Sequence, residues 1–228
     1  MSTPTPNTWR RYPFREHELL LNKMKLVDIP IIFVCPDHNE KYHARKEHMV
    51  KLLNSIGFKN ISHHKSGNEN YPTCLVKANI DILTKNLNDE PFILIEDDVE
   101  TFLYIDSNFE LDIPEDTDAF YLGFSKSGGH KTLNSHDGWS QIQKISDKHI
   151  RILNMLTTHA ILYKSKSYKQ KVINELEKVI QNPSYYNDVV IARLHPEYKI
   201  YGYHYPLFYQ SVKWGNVEHT ENFTKFRF

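Results

Sequence analysis

Four apolar residues in succession, Phe92-Ile93-Leu94-Ile95, run directly into three acids, Glu96-Asp97-Asp98. A strand with one wet face alternates apolar and polar residues; an unbroken apolar run predicts instead a strand buried on both faces under helices. Ile29 to Cys35 is a second run of this kind, closed by Pro36-Asp37. Between the two runs, Met49, Leu52, Leu53 and Ile56 recur at helical spacing within Tyr42 to Ile56, and Gly57 follows as a stop. Asn60 to His64 reads as a further strand, Lys65 to Pro72 as a loop rich in Gly, Asn and Ser, and Thr73 to Leu87 as a helix. Strand and helix alternate, so we expect one α/β domain: a mixed, mostly parallel sheet with helices on both faces and a ligand crevice at the carboxyl ends of the strands.

The second half continues the pattern. Ala119 to Gly123 and His159 to Tyr163 read as core strands, Tyr168 to Ile180 as an amphipathic helix, and Asn187 to Leu194 as a short one. A glycine-bearing loop spans Ser125 to Gly138, long enough to fold over a ligand, and Tyr201 to Tyr209 alternates aromatic residues. Residues 1–28 read as an N-terminal arm with a short helix around Glu16 to Lys25, and 29–228 as the domain proper. Lys plus Arg and Asp plus Glu each number 28, which gives no electrostatic argument for nucleic acid or an anionic membrane as partner. Cys35 and Cys74 are too few for a disulfide framework or a structural zinc site. The first residues lack the apolar core of a signal peptide, and no segment approaches the roughly 20 apolar residues that span a bilayer. A soluble cytoplasmic protein is the expectation. Glycine-rich phosphate loops, a nucleophile elbow and a His-Glu-x-x-His pair are all missing from the sequence.

Alternate residues of a strand share a face, so Glu96 and Asp98 should point together and Asp97 away. Mg²⁺ and Mn²⁺ take oxygen ligands and keep positions open for substrate phosphates, so Asp98 as ligand with Glu96 in support would suffice. The competing reading is an acidic cap facing solvent, but crowding three like charges against an apolar strand without a counterion is costly. Asp188 stands at a helix start, either as a dipole partner or as a general base for an acceptor hydroxyl. Among the 13 histidines, His219 is a candidate imidazole ligand, His159 either a buried hydrogen-bonding residue or an acceptor contact, and His204 structural. Arg45 could reach a phosphate or pair with Glu40 or Glu47.

Five segments in order resemble the lipopolysaccharide and procollagen galactosyltransferase family, which has the Rossmann-like GT-A fold. They are Pro91 to Val99, Ala119 to Gly123, Thr158-His159-Ala160, Asp188 to Ala192 and Pro206 to Gln210. The resemblance implies that the acids hold Mn²⁺ and the diphosphate of a nucleotide sugar, commonly a UDP-sugar, and that a hexose is transferred with inversion. It also implies that Arg45 stands in for the family's arginine-rich segment and that Lys77 faces the phosphates. On this reading Val34, Pro36 and Asp37, with Glu96 and Asp97, hold the donor nucleotide, and Asp188 is the base. A glycan, protein or lipid acceptor meets His159, Tyr205, Gln210 and the loop from Ser125 to Trp139. The competitors are a nucleotide- or carbohydrate-binding protein without catalysis and a metal-dependent phosphodiesterase or nuclease, which wants further acids on several strands.

Overall fold

The computed structural model describes residues 19–128, 138–181 and 186–215. Eight strands share one sheet: β1 (Ile31–Cys35), β2 (Ile61–Lys65), β3 (Phe92–Glu96), β4 (Ala119–Tyr121), β5 (Gln141–Lys144), β6 (His149–Asn154), β7 (Ala160–Tyr163) and β8 (Ile200–Tyr203). Their spatial order is β5-β6-β8-β4-β7-β3-β1-β2. Strands β2, β1 and β3 run parallel, joined by the helices α1 (Glu40–Ile56) and α2 (Thr73–Lys85). A parallel pair needs such a crossover. Beyond β3 the expectation of a mostly parallel sheet does not hold. Strand β7 lies antiparallel between β3 and β4, β8 is parallel to β4, and β6 and β5 add antiparallel pairs at the edge. Strands β3 and β4 run the same way, but they are not neighbours, because β7 is inserted between them antiparallel to both. The fold is therefore mixed α/β with a mixed sheet.

Both faces of the sheet are covered, and the unbroken apolar runs are explained by it. Ile93 and Ile95 point into one core with Met49, Leu53 and Ile56 of α1. Phe92 and Leu94 point into the other, with Val76 and Ile82 of α2 and with Tyr168, Val172 and Leu176 of α3 (Lys166–Ile180). Helix boundaries follow local chemistry. Asn39 caps α1 by accepting from the Tyr42 amide, and Gly57, at φ 98°, ends it in the left-handed region where a side chain would be strained.

Three departures from the sequence reading have physical causes. Leu21–Lys25 is a strand, not a helix, paired antiparallel with Glu110–Pro114, and Leu26 and Val27 are buried in the first core. The segment read as an arm is thus bound into the fold from residue 21 onward. Strands β5 and β6 escaped notice because the edge strand Gln-Ile-Gln-Lys carries little apolar signal. The aromatic stretch Tyr201 to Tyr209 divides into β8 and a short strand, Phe208–Gln210, which pairs with Val99–Thr101. Among the described residues no helix is long and apolar enough to cross a membrane.

One buried charge anchors the connection that delivers β3. Lys169 on α3 is fully buried, and its Nζ donates to the carbonyl oxygens of Asn86 (3.0 Å), Asn88 (2.6 Å) and Glu90 (2.8 Å). All three ammonium protons are used. Lys169→Met is expected to lower stability by about 2–3 kcal/mol, since it strands these carbonyls. Urea unfolding checks it, and an unchanged midpoint would show that water satisfies the loop as well.

Candidate active site

Strands β1 and β3 are in register, with Val34 opposite Glu96, and their carboxyl ends open into a cleft of about 660 Å³. Past Glu96 the chain turns through Asp97 and Asp98 into Val99–Thr101. Asp97 and Asp98 lie in that turn, past the last strand residue, so strand alternation does not direct them; their contacts separate them instead. Asp97 turns inward to Arg45 of α1, Nη1 to Oδ1 at 2.9 Å, with both side chains 10% exposed. The other terminal nitrogen of Arg45, Nη2, donates to the Trp214 carbonyl oxygen. Burial, resisted by Arg45, leaves the Asp97 carboxyl above the usual aspartate range. Burial and the Asp97 charge also push up the thiol of Cys35 beneath it.

Glu96 and Asp98 face the opposite way and meet at Gln210. The Gln210 amide Nε2 lies 3.1 Å from Glu96 Oε2 and 3.4 Å from Asp98 Oδ1. Pairing of Phe208–Gln210 with Val99–Thr101 sets that amide in place, and the Ser211 amide donates to the Asp98 carbonyl at 2.9 Å. The second oxygen of Glu96 accepts from Thr158 Oγ1 at 2.8 Å, which accepts in turn from Asn187 Nδ2 at 3.2 Å. Burial, then the charges of Asp98, Asp97 and Asp188, push the Glu96 carboxyl up to about 8 despite the Thr158 hydrogen bond. Asp188, in the first turn of α4 (Asn187–Ala192), lines the same cleft.

Arg45 is the only Lys or Arg among the described residues that line the cleft, against Glu96, Asp97, Asp98 and Asp188, and it is already bound to Asp97; the lining Glu69 is paired with Lys77. Such a site favours a cation. Among the described residues no three His, Cys, Asp or Glu side chains converge as a metal cage. The donor set fits an ion that takes one or two carboxylates and leaves its remaining positions to water and phosphate oxygens. No protein-family model matches the chain, and no curated protein matches it either.

The other expected residues divide. Val34, Pro36, Arg45 and Gln210 line the cleft with the acids. Lys77 is not one of the lining residues; its Nζ pairs with the lining Glu69 at 2.6 Å. Asp37 is paired with Lys65 at 2.6 Å, between the lining residues Pro36 and His38. His159 stands outside the cleft, 1% exposed, with Nδ1 2.5 Å from Thr157 Oγ1; burial pushes its pKa down to about 4. Gly123 explains its position, since a Cβ there would lie 1.9 Å from His159 Nε2. The imidazole is a packing element behind Asp98. Tyr205 stacks on Tyr203 at 5.5 Å, packs against the first core and does not line the cleft. His219 and positions 129–137 of the long loop lie outside the described residues.

Residue-by-residue reading passed over Thr157, Thr158, Asn187 and most of the wall formed by Ser66, Asn68, Glu69, Asn70 and Tyr71. That wall had a signal. It is the Gly-, Asn- and Ser-bearing loop that leaves the carboxyl end of β2, on the edge where open α/β sheets bind ligands.

Proposed function

We propose that the protein is a metal-dependent glycosyltransferase of GT-A type, moving a hexose from a nucleotide-diphosphate sugar, in the first instance a UDP-sugar, to an acceptor hydroxyl with inversion. The observation that carries this reading is the pairing of Glu96 and Asp98 on the cleft side at Gln210, with Asp97 turned away to Arg45. Asp98 and Glu96 would hold Mn²⁺ or Mg²⁺. Bound there, the ion would neutralise the charge that develops on the diphosphate leaving group.

The remaining roles belong to the chain's own side chains. Val34, Pro36 and Tyr42 offer an apolar and aromatic bed for the nucleoside at the β1 end of the cleft. Asp188, across from them on α4, is the carboxylate positioned to take the proton of the acceptor hydroxyl as the new glycosidic bond forms. Thr158 and Asn187 tie α4 to Glu96, so base and metal-binding acids are held in one hydrogen-bonded unit. Arg45, committed to Asp97, supports the wall more than it binds phosphate.

Calorimetric titration with UDP and GDP, with and without Mn²⁺, tests the reading when joined to a hydrolysis screen over a panel of nucleotide sugars. Binding strengthened at least about tenfold by Mn²⁺, with release of UDP from one donor, is the expected result. Binding that ignores Mn²⁺, with no donor cleaved, would make the protein a nucleotide- or sugar-binding module instead.

A further inference from the structure

Among the described residues, Tyr121, Tyr163 and Tyr168 are at most 1% exposed, whereas Tyr104 is 90% exposed away from the cleft-lining residues. Tyr71 and Tyr186 are exposed as well, at 66% and 38%. They come from separate segments, the loop before α2 and the residue before α4, yet their ring centroids lie 5.7 Å apart at an interplanar angle of 44°. The two rings are tilted, not stacked face to face, and Tyr71 lines the cleft.

Their position is functional ground. Tyr71 lines the cleft, and Tyr186 is two residues from the lining carboxylate Asp188. Asn68, Glu69 and Asn70 stand on the same wall with amide and carboxylate groups. Exposed π faces beside polar side chains match one ligand chemistry closely. A pyranose presents a face of C–H groups, electropositive and suited to a ring face, and an equatorial rim of hydroxyls suited to amides and carboxylates. A lipid chain would want a continuous apolar groove, which this polar lining does not offer.

We propose that Tyr71 and Tyr186 form a pyranose-binding subsite next to Asp188, so that the acceptor is a carbohydrate; the word acceptor rests on the transferase reading, the sugar site does not. The test is an NMR titration of the full chain carrying ¹³C-labelled tyrosine rings. The probes are methyl β-galactoside, methyl β-glucoside, N-acetylglucosamine, lactose and, as control, UMP. Tyr71→Phe and Tyr186→Phe assign the two signals. We expect saturable shifts of both rings with at least one saccharide, and an apparent Kd about tenfold weaker in Tyr71→Ala and in Tyr186→Ala. Rings that ignore every saccharide, or that answer only to UMP, would overturn the subsite. Nucleotide-sugar hydrolysis with Mn²⁺, measured on the same samples, separates the two ideas. Sugar shifts without hydrolysis keep the subsite and remove the transferase, whereas hydrolysis with silent rings does the reverse.

Discussion

Asp98→Asn is expected to reduce Mn²⁺-dependent turnover of nucleotide sugars by at least about a thousandfold in kcat/KM, with little change in thermal stability. The substitution keeps the shape of the side chain and removes its charge. Its structural ties survive, because the Ser211 amide bonds the backbone carbonyl of Asp98 and not its carboxylate. Gln210 would still find an oxygen to meet. What disappears is half of the carboxylate pair offered to the cation, in a cleft whose one described arginine is already taken. A circular-dichroism melt beside the hydrolysis assay distinguishes loss of chemistry from loss of fold. Turnover within tenfold of the parent would remove Asp98 as the principal ligand.

Arg45→Met should produce the largest change in stability, a loss of about 3–5 kcal/mol at neutral pH. The Arg45–Asp97 pair is buried at 2.9 Å, and removing the guanidinium strands the carboxylate and the Trp214 carbonyl together. The loss has a defined pH dependence. Asp97 already titrates above the usual aspartate range because burial outweighs the help of Arg45, and without that help its folded-state pKa rises further. A group whose pKa is raised by folding destabilises the native state once the pH exceeds its unfolded pKa, about 3.9 for aspartate. The deficit should therefore be full at neutral pH and shrink as the pH falls toward 4. The double variant Arg45→Met, Asp97→Leu should recover most of it, since an apolar pair replaces a broken ionic one. Urea titrations across that range provide the check. A deficit independent of pH would mean that the lost packing of Arg45, and not the orphaned charge, is responsible.

What was legible in the sequence was local. The apolar runs at Ile31–Cys35 and Phe92–Glu96 told of burial on both faces because no polar residue interrupts them. Gly57 marked the end of α1 because a left-handed residue is needed there. The separation of Asp97 from Glu96 and Asp98 matches the expected alternation, but the strand ends at Glu96 and contacts with Arg45 and Gln210 make the division. What escaped depends on distant partners. Nothing in its residue type marks Lys169 as buried, and only the carbonyls of residues 86, 88 and 90 make it a core residue. His159 reads from the sequence as either a buried hydrogen-bonding residue or an acceptor contact, and only its packing against Gly123 and its bond to Thr157 decide for the first. Trp214 carries no motif, yet its carbonyl holds Arg45 from 169 positions away.

The same long spans govern how the site comes into being. Gln210 lies 114 residues after Glu96 and 112 after Asp98, so during synthesis the acids leave the ribosome well before the amide that bridges them. In the interval the amide that Glu96 and Asp98 share is absent, although Arg45, the partner of Asp97, has already been made. Contacts of such separation close late, after the loop entropy between them has been overcome. The cleft side of the acidic turn should accordingly be completed as one of the final events of folding, so that a half-made chain carries the acidic motif before the proposed metal site exists.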